Sequence, residues 1–351
     1  MMGKLKKLTG YRLILPLSCL IIVLLINLIT TPTFFRITIN NGVLYGYIID
    51  VINRASELVV LAVGMTLVVS ASAGTDISVG AVMAVAAAVC TRVLAGGEVS
   101  VNEYANPYVL AVLAALAAAV VCGGFNGFLV AKLKIQPMVA TLILFTAGRG
   151  ISQLVTNGQI TYIRVDGYKL LGNNIPGIPI PTPIFVAVIV VALTYILLKK
   201  TAMGMYIQSV GINERASRLV GLKSVKIIWM AYAFCGLCAG IAGLVASSRI
   251  YSADANNIGL NMELDAIAAV ALGGNSLGGG RFSLLGSVIG AYTIQALTTT
   301  LYAMSVPADQ IPVYKAIVVI LIVAVQSEEL KKFRKRLASR HSSKNVEGGV
   351  A

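Results

Sequence analysis

The sequence predicts an all-α protein, a polytopic membrane helix bundle of about ten spans whose N- and C-termini are both cytoplasmic. Three observations carry this prediction. Of the 351 residues, 57% are hydrophobic and only 12% are charged, with a mean hydropathy of +0.85. Long stretches contain no charged side chain at all. The Lys and Arg residues gather where those stretches end, as expected for helices that cross a bilayer.

A single domain accounts for most of the chain. No segment between the apolar stretches exceeds roughly thirty residues, which is too short for an independent hydrophobic core. We therefore expect one transmembrane domain over residues 13–327, with cytoplasmic tails at 1–12 and 328–351. The first apolar stretch is longer than the core of a signal peptide and lacks a small-residue cleavage site, so it is interpreted as the first span.

The charge-free stretches locate the spans, because a crossing needs about twenty apolar residues. The predicted spans lie near residues 13–30, 55–73, 77–95, 108–131, 137–156, 183–198, 227–247, 264–277, 283–303 and 311–327. Two of them, 77–95 and 264–277, are short, glycine-rich and next to polar breaks. Each of these two either spans fully or forms a re-entrant helix buried within the protein.

Orientation follows from the basic residues. With ten crossings, most of the 28 Lys and Arg residues fall on the side of the N-terminus, which the positive-inside rule assigns to the cytoplasm. The net charge of +14 is therefore explained by membrane orientation. We expect membrane lipid to surround the protein, and we expect no nucleic-acid partner.

The segment 199–226, here called the polar island, separates two long apolar stretches and must lie in water on the cytoplasmic side. Residues 213–221 are expected to form one short helix. Asn213 can cap its start, and Gly221 can supply the left-handed residue that ends it. A small capped helix outside the bilayer is typical of a surface that receives a mechanical push from a soluble partner.

Polar residues within or beside spans need a physical reason, since a buried charge is costly. Arg149, with Gln153 one turn further along the same face, either lines a path for a solute or is a structural residue that pairs with a carboxylate or reaches outward. Asp76 is expected to cap the third span. Asp254, Asn256 and Asn257 carry groups that hydrogen-bond sugar hydroxyls, and these residue types are also ordinary loop formers.

Several kinds of chemistry lack suitable residues. The sequence has no G-x-x-x-x-G-K-[ST] motif for binding ATP phosphates, and no series of buried carboxylates and histidines for proton coupling. Cys235 and Cys238 lie inside an apolar stretch and are interpreted as small packing residues, and the only histidine is His341. We therefore expect no catalytic residues, no metal site and no cofactor bound by this chain.

Several motifs, in order along the chain, resemble those of the permease subunits of bacterial ABC importers for monosaccharides, the ribose, galactose and xylose class. The resemblance is greatest to galactofuranose permeases, and it covers residues 48–326. The matching segments are DVINRA at 50–55, GMTLV at 64–68, DISVGAVMA at 76–84, KIQPMVATLI at 134–143, AGRG at 147–150, GIN at 211–213, ADANN at 253–257 and GGRF at 279–282.

The resemblance implies a transport subunit of the bacterial inner membrane rather than an enzyme. Its implied partners are an ABC ATP-binding subunit that holds ATP and Mg, a periplasmic sugar-binding protein, and a second permease subunit, identical or different. In this family a loop of the form E-A-A-x-x-x-G contacts the ATPase, and residues 214–221 follow that form loosely. The residues implied in coupling are Gly211, Asn213, Glu214, Arg215, Ala216, Ser217 and Gly221.

The small residues at 216 and 217 are expected to let this helix fit closely into a groove of the ATPase. The implied solute is a monosaccharide such as galactofuranose. A permease of the same family for ribose, autoinducer-2 or branched-chain amino acids is an alternative, as is a stand-alone secondary transporter. An integral-membrane enzyme is disfavoured, because no cluster of His, Cys or carboxylate residues is evident.

Overall fold

The computed structural model describes residues 13–40 and 42–326, so the tails predicted at 1–12 and 328–351 lie outside the described residues. Within these ranges the chain is mainly helical. The helices are α1 Ile14–Thr30, α2 Tyr47–Ser72, α3 Val79–Ala95, α4 Tyr108–Ala131, α5 Pro137–Val155, α6 Thr182–Lys200, α7 Met203–Ile212, α8 Glu214–Leu219, α9 Ser224–Ile250, α10 Met262–Leu272, α11 Leu284–Ala303 and α12 Ile311–Gln326. The short strands are β1 Thr38–Asn40, β2 Val43–Tyr45, β3 Ser100–Val101, β4 Thr161–Ile163 and β5 Ser252–Ala253.

Six of the described helices are long and apolar enough to cross a membrane, namely α2, α4, α5, α6, α9 and α11. Helices α1, α3 and α12 are apolar and shorter. The chain is thus a membrane helix bundle, while the number of crossings stays a prediction. Each charge-free stretch contains a helix, because an apolar backbone segment in lipid must satisfy its own hydrogen bonds.

The segment 264–277, for which a full span and a re-entrant helix were both open, is not one continuous helix. Helix α10 has 11 residues and ends at Leu272, where a glycine pair follows. It is about 16 Å long, against roughly 30 Å for the hydrocarbon core. Glycine raises the cost of holding a helix, so the three-glycine run at 278–280 and the pair at 273–274 favour the non-helical chain that follows. The structure favours the interrupted alternative for this segment.

The bundle has a buried centre and an apolar exterior. In α2, 89% of the most apolar 18-residue stretch is buried, against 22% in α4 and in α6. The outer helices expose large apolar side chains such as Leu113, Val188 and Leu193. At the centre, small residues let helices approach closely. A Cβ on Gly123 of α4 would lie 2.9 Å from the Cα of Gly236 in α9.

The connections between the helices lie at two opposite ends of the bundle. At the end here called the sheet end, β3 pairs in parallel with β4, and β4 pairs antiparallel with β5, with Tyr162 opposite both Ser100 and Ser252. This sheet joins the connections that follow α3, α5 and α9. The start of α2 lies at the same end, since Glu57 forms an ion pair of 3.0 Å with Arg249.

The other end, here called the island end, contains the polar island. The N–H of Gly280 donates to the carbonyl of Ser70 at 3.0 Å, which joins the end of α2 to the segment before α11. The Nζ of Lys134 lies 2.5 Å from Glu214, which joins the α4–α5 connection to α8. The described segments that the basic residues assign to the cytoplasm therefore lie together at one end.

Two helices begin inside the bundle instead of at its surface. Just after α2, Gly74 packs against Pro137 at the start of α5. Helix α3 starts further into the bundle, where Ala81 lies against Gly148 of α5. Gly148 is about 16 Å further along α5 than Pro137. Helix α10 begins at the same depth, because Gly259, just before it, contacts Gly80. Discontinuous helices of this kind are common at the solute sites of transporters.

Candidate functional site

The short helix α8 has the predicted ends. The Oδ1 of Asn213 accepts the N–H of Ala216 at 3.0 Å, so Asn213 is the N-terminal cap. At the other end Gly221 has a φ of +86°. Its N–H donates to Arg218, and the N–H of Leu222 donates to Ser217, each at 3.0 Å. This pair of bonds is the Schellman arrangement, which satisfies the last carbonyls of a helix.

Glu214 fastens α8 to the rest of the bundle. Its Oε1 accepts from the Nζ of Lys134 at 2.5 Å, from Ser224 Oγ at 3.1 Å, and from Arg218 in an ion pair one turn along. Partial burial raises the pKa of Glu214, but the hydrogen bonds from Lys134 and Arg218 outweigh it and hold the pKa below its usual range. Glu214 therefore connects α8 to the α4–α5 connection and to the start of α9.

Helix α7 is a part of the polar island that sequence reasoning missed. Residues Met203–Ile212 form it, and the signal was present in the run of apolar residues between Met203 and Ile212. Gly211 packs directly on the end of α2, where a Cβ would overlap the carbonyl oxygen of Ser70. Gly211, implied in coupling by the resemblance, therefore makes contacts within the chain.

The exposed surface of α8 differs from the predicted one. Ser217 is buried, with only 4% of its surface exposed, so its side chain packs within the chain, and its implied role in coupling stays a prediction. Exposed apolar side chains at this end were not predicted, although Leu219 and Val220 are 90% and 77% exposed. Here the α8 surface means Ile212, Arg215, Ala216, Leu219 and Val220, all of which are exposed.

Five of the six candidate pathway residues come together beneath the sheet end. Arg149 of α5 donates its Nη1 to the carbonyl oxygens of Ala255 at 3.0 Å and Ile258 at 2.6 Å. Its Nη2 is buried without a hydrogen-bond partner. Arg149 thus holds the loop before α10 through backbone carbonyls, and not through the paired carboxylate that the structural alternative expected.

The amide and carboxylate groups of that loop are mostly engaged with one another. Gln153 Nε2 donates to Asn256 Oδ1 at 2.6 Å. Asp254 accepts from the backbone N–H of Asn256 at 2.9 Å and from Asn257 Nδ2 at 2.6 Å. Partial burial raises the pKa of Asp254, but the bonds from Asn257 and Asn256 outweigh it and lower the pKa. These contacts fit the loop-forming interpretation of all three residues.

Asp76 lies apart from this cluster. Its Oδ1 accepts from Ser78 N–H at 2.9 Å and from Ser78 Oγ at 2.6 Å, and Asn126 Nδ2 lies 3.4 Å away. The first residue outside α3 is Ser78, so Asp76 forms an Asx turn before the helix and does not cap it. The expectation that Asp76 caps the helix is therefore wrong: its side chain stabilises the turn that leads into α3.

Glu263 is a buried carboxylate that the sequence did not single out. It lies in the first turn of α10, is 3% exposed, and its Oε2 has no hydrogen-bond partner. A Cβ on Gly80 would overlap this oxygen, so the two helix starts meet around the carboxylate. Two residues on, Asp265 pairs with Lys315 of α12 at 2.6 Å. The sequence signal was an acidic residue at the start of an apolar run.

These groups are suited to holding polar molecules and backbone segments by hydrogen bonds. Within residues 13–40 and 42–326, no group of three or more His, Cys, Asp or Glu side chains comes together as a metal site would require. The geometry combines an apolar exterior, two interrupted helices and a fastened helix at one end. Such a combination is typical of proteins that move solutes across membranes.

A family model for the permease component of the branched-chain amino acid transport system matches residues 47–326. The chain belongs to this permease family. It is accordingly a membrane-embedded transport component, as the helix bundle indicates.

Individual relatives match over nearly the whole chain. The galactofuranose transporter permease protein YtfT of Escherichia coli K12 is 44% identical, covering 92% of both chains. The fructose import permease protein FruF of Bifidobacterium longum is 37% identical, covering 99% of this chain and 96% of its own. The ribose import permease protein RbsC of E. coli K12 is 35% identical, covering 89% and 93%. No solved structure gives a significant match.

Proposed function

We propose that this chain is the transmembrane permease subunit of an ATP-driven importer for a monosaccharide such as galactofuranose, located in the bacterial inner membrane. The observation that carries the proposal is the 44% identity over 92% of the chain to a permease named for galactofuranose. The relatives named for fructose and ribose support a sugar as the solute class. The positive-inside rule supports a cytoplasmic island end and ten crossings.

The α8 surface is the proposed docking site for the ATP-binding subunit, which would hold ATP and Mg in the usual manner of such partners. Exposed Leu219 and Val220 support this assignment, because large apolar side chains facing water mark an interaction surface. Nothing in the described chain covers them. Burying two such side chains contributes about 3–6 kcal/mol before the cost of association is subtracted.

The proposed mechanism is conformational. Closure of the ATPase displaces α8, and Glu214 passes the displacement to the α4–α5 connection through Lys134. Gly211 passes it to the end of α2, on which it packs. Helix α5 carries Arg149 at its other end, which holds the loop between α9 and α10. A continuous series of contacts thus connects the α8 surface with the polar cluster.

Asp76, Arg149, Gln153, Asp254, Asn256 and Asn257 are retained as candidate residues of the solute pathway. The two parts of this set have different support. Gln153 and Asn256 are hydrogen-bonded to each other but are both exposed, so the remaining group of each amide can reach solute hydroxyls. Asp76 and the guanidinium of Arg149 are occupied by contacts within the chain, so they position the pathway rather than line it. A periplasmic sugar-binding protein would dock at the sheet end, and a second permease would complete the passage.

Uptake of labelled galactofuranose tests the function directly, in cells with and without this subunit and its ATPase. Gly221→Pro should abolish uptake while membrane insertion continues, because proline cannot adopt a φ of +86°. A matched control is Gly177→Pro, which imposes the same strain at the same φ of +86° in a sheet-end loop. Ala216→Lys, which adds a bulky charge to the α8 surface, should act like Gly221→Pro. Normal uptake in both α8 variants would contradict the coupling assignment.

The second candidate is a different solute within the same family, and the description of the family model favours branched-chain amino acids. Competition separates the candidates: unlabelled galactofuranose should block uptake, whereas leucine, ribose and autoinducer-2 should not. A stand-alone secondary transporter would instead take up sugar in vesicles that contain only the purified chain. Uptake without any ATPase would refute the importer proposal.

A further inference from the structure

Two adjoining cavities form one groove along helix α6. The first, of about 300 Å³, lies between α6, α2 and α11 and is lined almost entirely by apolar side chains such as Val59, Val191 and Val288. The second, of about 480 Å³, lies between α6, α7 and the segment before α11. Tyr195 and Leu285 line both cavities, so the groove is continuous.

The two ends of the groove differ in polarity. The first cavity lies beside the charge-free part of α6. The second contains Lys199, Thr201, Gln208 and Ser283, and it adjoins the polar island. No Asp or Glu is among the described residues that line either cavity. The groove therefore has an apolar body within the span and a positively charged, hydrogen-bonding end where the span meets water.

The groove faces the exterior of the bundle. Helix α6 is one of the least buried spans, and Val188, which lines the groove, is 58% exposed. Leu193, on the neighbouring surface of the same helix, is 63% exposed. In a membrane such a surface is surrounded by lipid, so lipid reaches the groove without any rearrangement of the protein.

We propose that this groove binds an anionic phospholipid, with one acyl chain in the apolar cavity and the phosphate beside Lys199. Two observations favour this occupant. The polarity gradient of the groove matches the gradient along a lipid molecule. The cation lies at the end of the helix, where basic pockets between spans bind lipid head groups. A second subunit is the other possible occupant of an outward-facing groove.

A bound lipid would also contact α7, since Gly204 and Gln208 line the polar cavity. Helix α7 packs through Gly211 on the end of α2. The lipid would thereby support the polar island from the membrane side and stabilise the position of α8.

Native mass spectrometry of the full chain in detergent tests the site, with added phosphatidylglycerol or phosphatidylcholine as probes. The wild-type chain should retain phosphatidylglycerol preferentially. Ala192→Trp, which fills the apolar cavity, should remove retention of both lipids. Lys199→Gln should keep lipid but lower the preference for phosphatidylglycerol about fivefold, the contribution of one lysine near a membrane surface.

Matched controls separate the site from general effects. Leu193→Trp adds the same ring one residue away on the outward surface, and Lys226→Gln removes an exposed lysine at the same end. Both should retain lipid as the wild-type chain does. Equal retention in Ala192→Trp and its control would overturn the proposal. Disulfide cross-linking of two chains through Ala192→Cys would also overturn it, because a subunit would then occupy the groove.

Discussion

The backbones of Gly80 and Gly259 are in direct contact where helices α3 and α10 begin. A Cβ on Gly259 would lie 2.5 Å from the carbonyl oxygen of Gly80, and a Cβ on Gly80 would overlap the carbonyl oxygen of Gly259. Gly259 also has a φ of +69°, which favours glycine. The two interrupted helices can start at the same depth only because neither residue has a side chain.

Gly80→Val should therefore destabilise the bundle by about 3 kcal/mol or more, because a branched side chain would displace the backbone of the facing segment. The measurement is the free energy of unfolding in a titration with sodium dodecyl sulfate. Gly150→Ala is the control, since a Cβ there meets nothing within 4 Å. It should leave stability unchanged or raise it by up to about 1 kcal/mol. Equal behaviour of the two variants would contradict the close contact.

Arg149 and Glu263 should show energetic coupling. Arg149→Gln removes two hydrogen bonds to carbonyls from a charged donor, so a loss of about 2–3 kcal/mol is expected. It also leaves the buried carboxylate of Glu263 without its nearby cation. Glu263→Gln in the same chain should recover part of the loss, with a coupling energy of about 0.5–3 kcal/mol in a double-mutant cycle. Strict additivity of the two substitutions would show that the two groups do not interact.

The contribution of Glu214 to the free energy of unfolding should decrease as the pH is lowered. Its pKa in the folded chain is lowered by its cationic partners, so the ionised form favours folding. The stability difference between wild type and Glu214→Gln should be constant above the ordinary glutamate pKa of about 4.3. It should shrink as the pH falls through the lowered pKa. Thermal unfolding at a series of pH values measures this difference.

Glu98→Gln is the control for that experiment, because Glu98 is an exposed carboxylate at the sheet end. It should change stability little at any pH. A Glu214→Gln effect that grows on acidification would reverse the expected sign and contradict the ion-pair assignment.

Leu219→Glu should weaken binding of the ATP-binding subunit at least tenfold, because burying one leucine side chain contributes about 1.5–3 kcal/mol. The change should leave the fold intact, since Leu219 is 90% exposed. Affinity of the purified permease for its ATPase measures the effect. Val99→Glu, at an exposed position of the sheet end, should bind the ATPase normally. Unchanged affinity in Leu219→Glu would remove α8 from the docking surface.

The sequence predicts the helices well because charge and length determine what can lie in lipid. Where those quantities are ambiguous, as for the segment 264–277, the sequence leaves alternatives open or misses an element, for physical reasons. Helix α10 stops early because the glycine pair at 273–274 lowers helix stability, and a hydropathy pattern does not register that cost. Helix α7 was missed because its 10 residues are too few to cross a bilayer, and the prediction relied on apolar stretches long enough to span.

The candidate site could be predicted in part. The caps of α8 are encoded locally by Asn213 and Gly221, so a single sequence reveals them. The side of α8 that faces a partner depends on packing against α9, and Ser217 turned out to face inward. Arg149 has partners more than one hundred residues away in the chain. Such long-range contacts leave no local pattern.

The small β-sheet contains Val101, Ile163 and Ala253, and it ties together three connections at the sheet end of the bundle. Its strands come from three separate connections, and β4 shares backbone hydrogen bonds with both neighbours. A partner that lifts any one of these loops must therefore lift the others or break those bonds. A partner that binds to one of these three connections therefore also restrains the other two, together with the helices that they join.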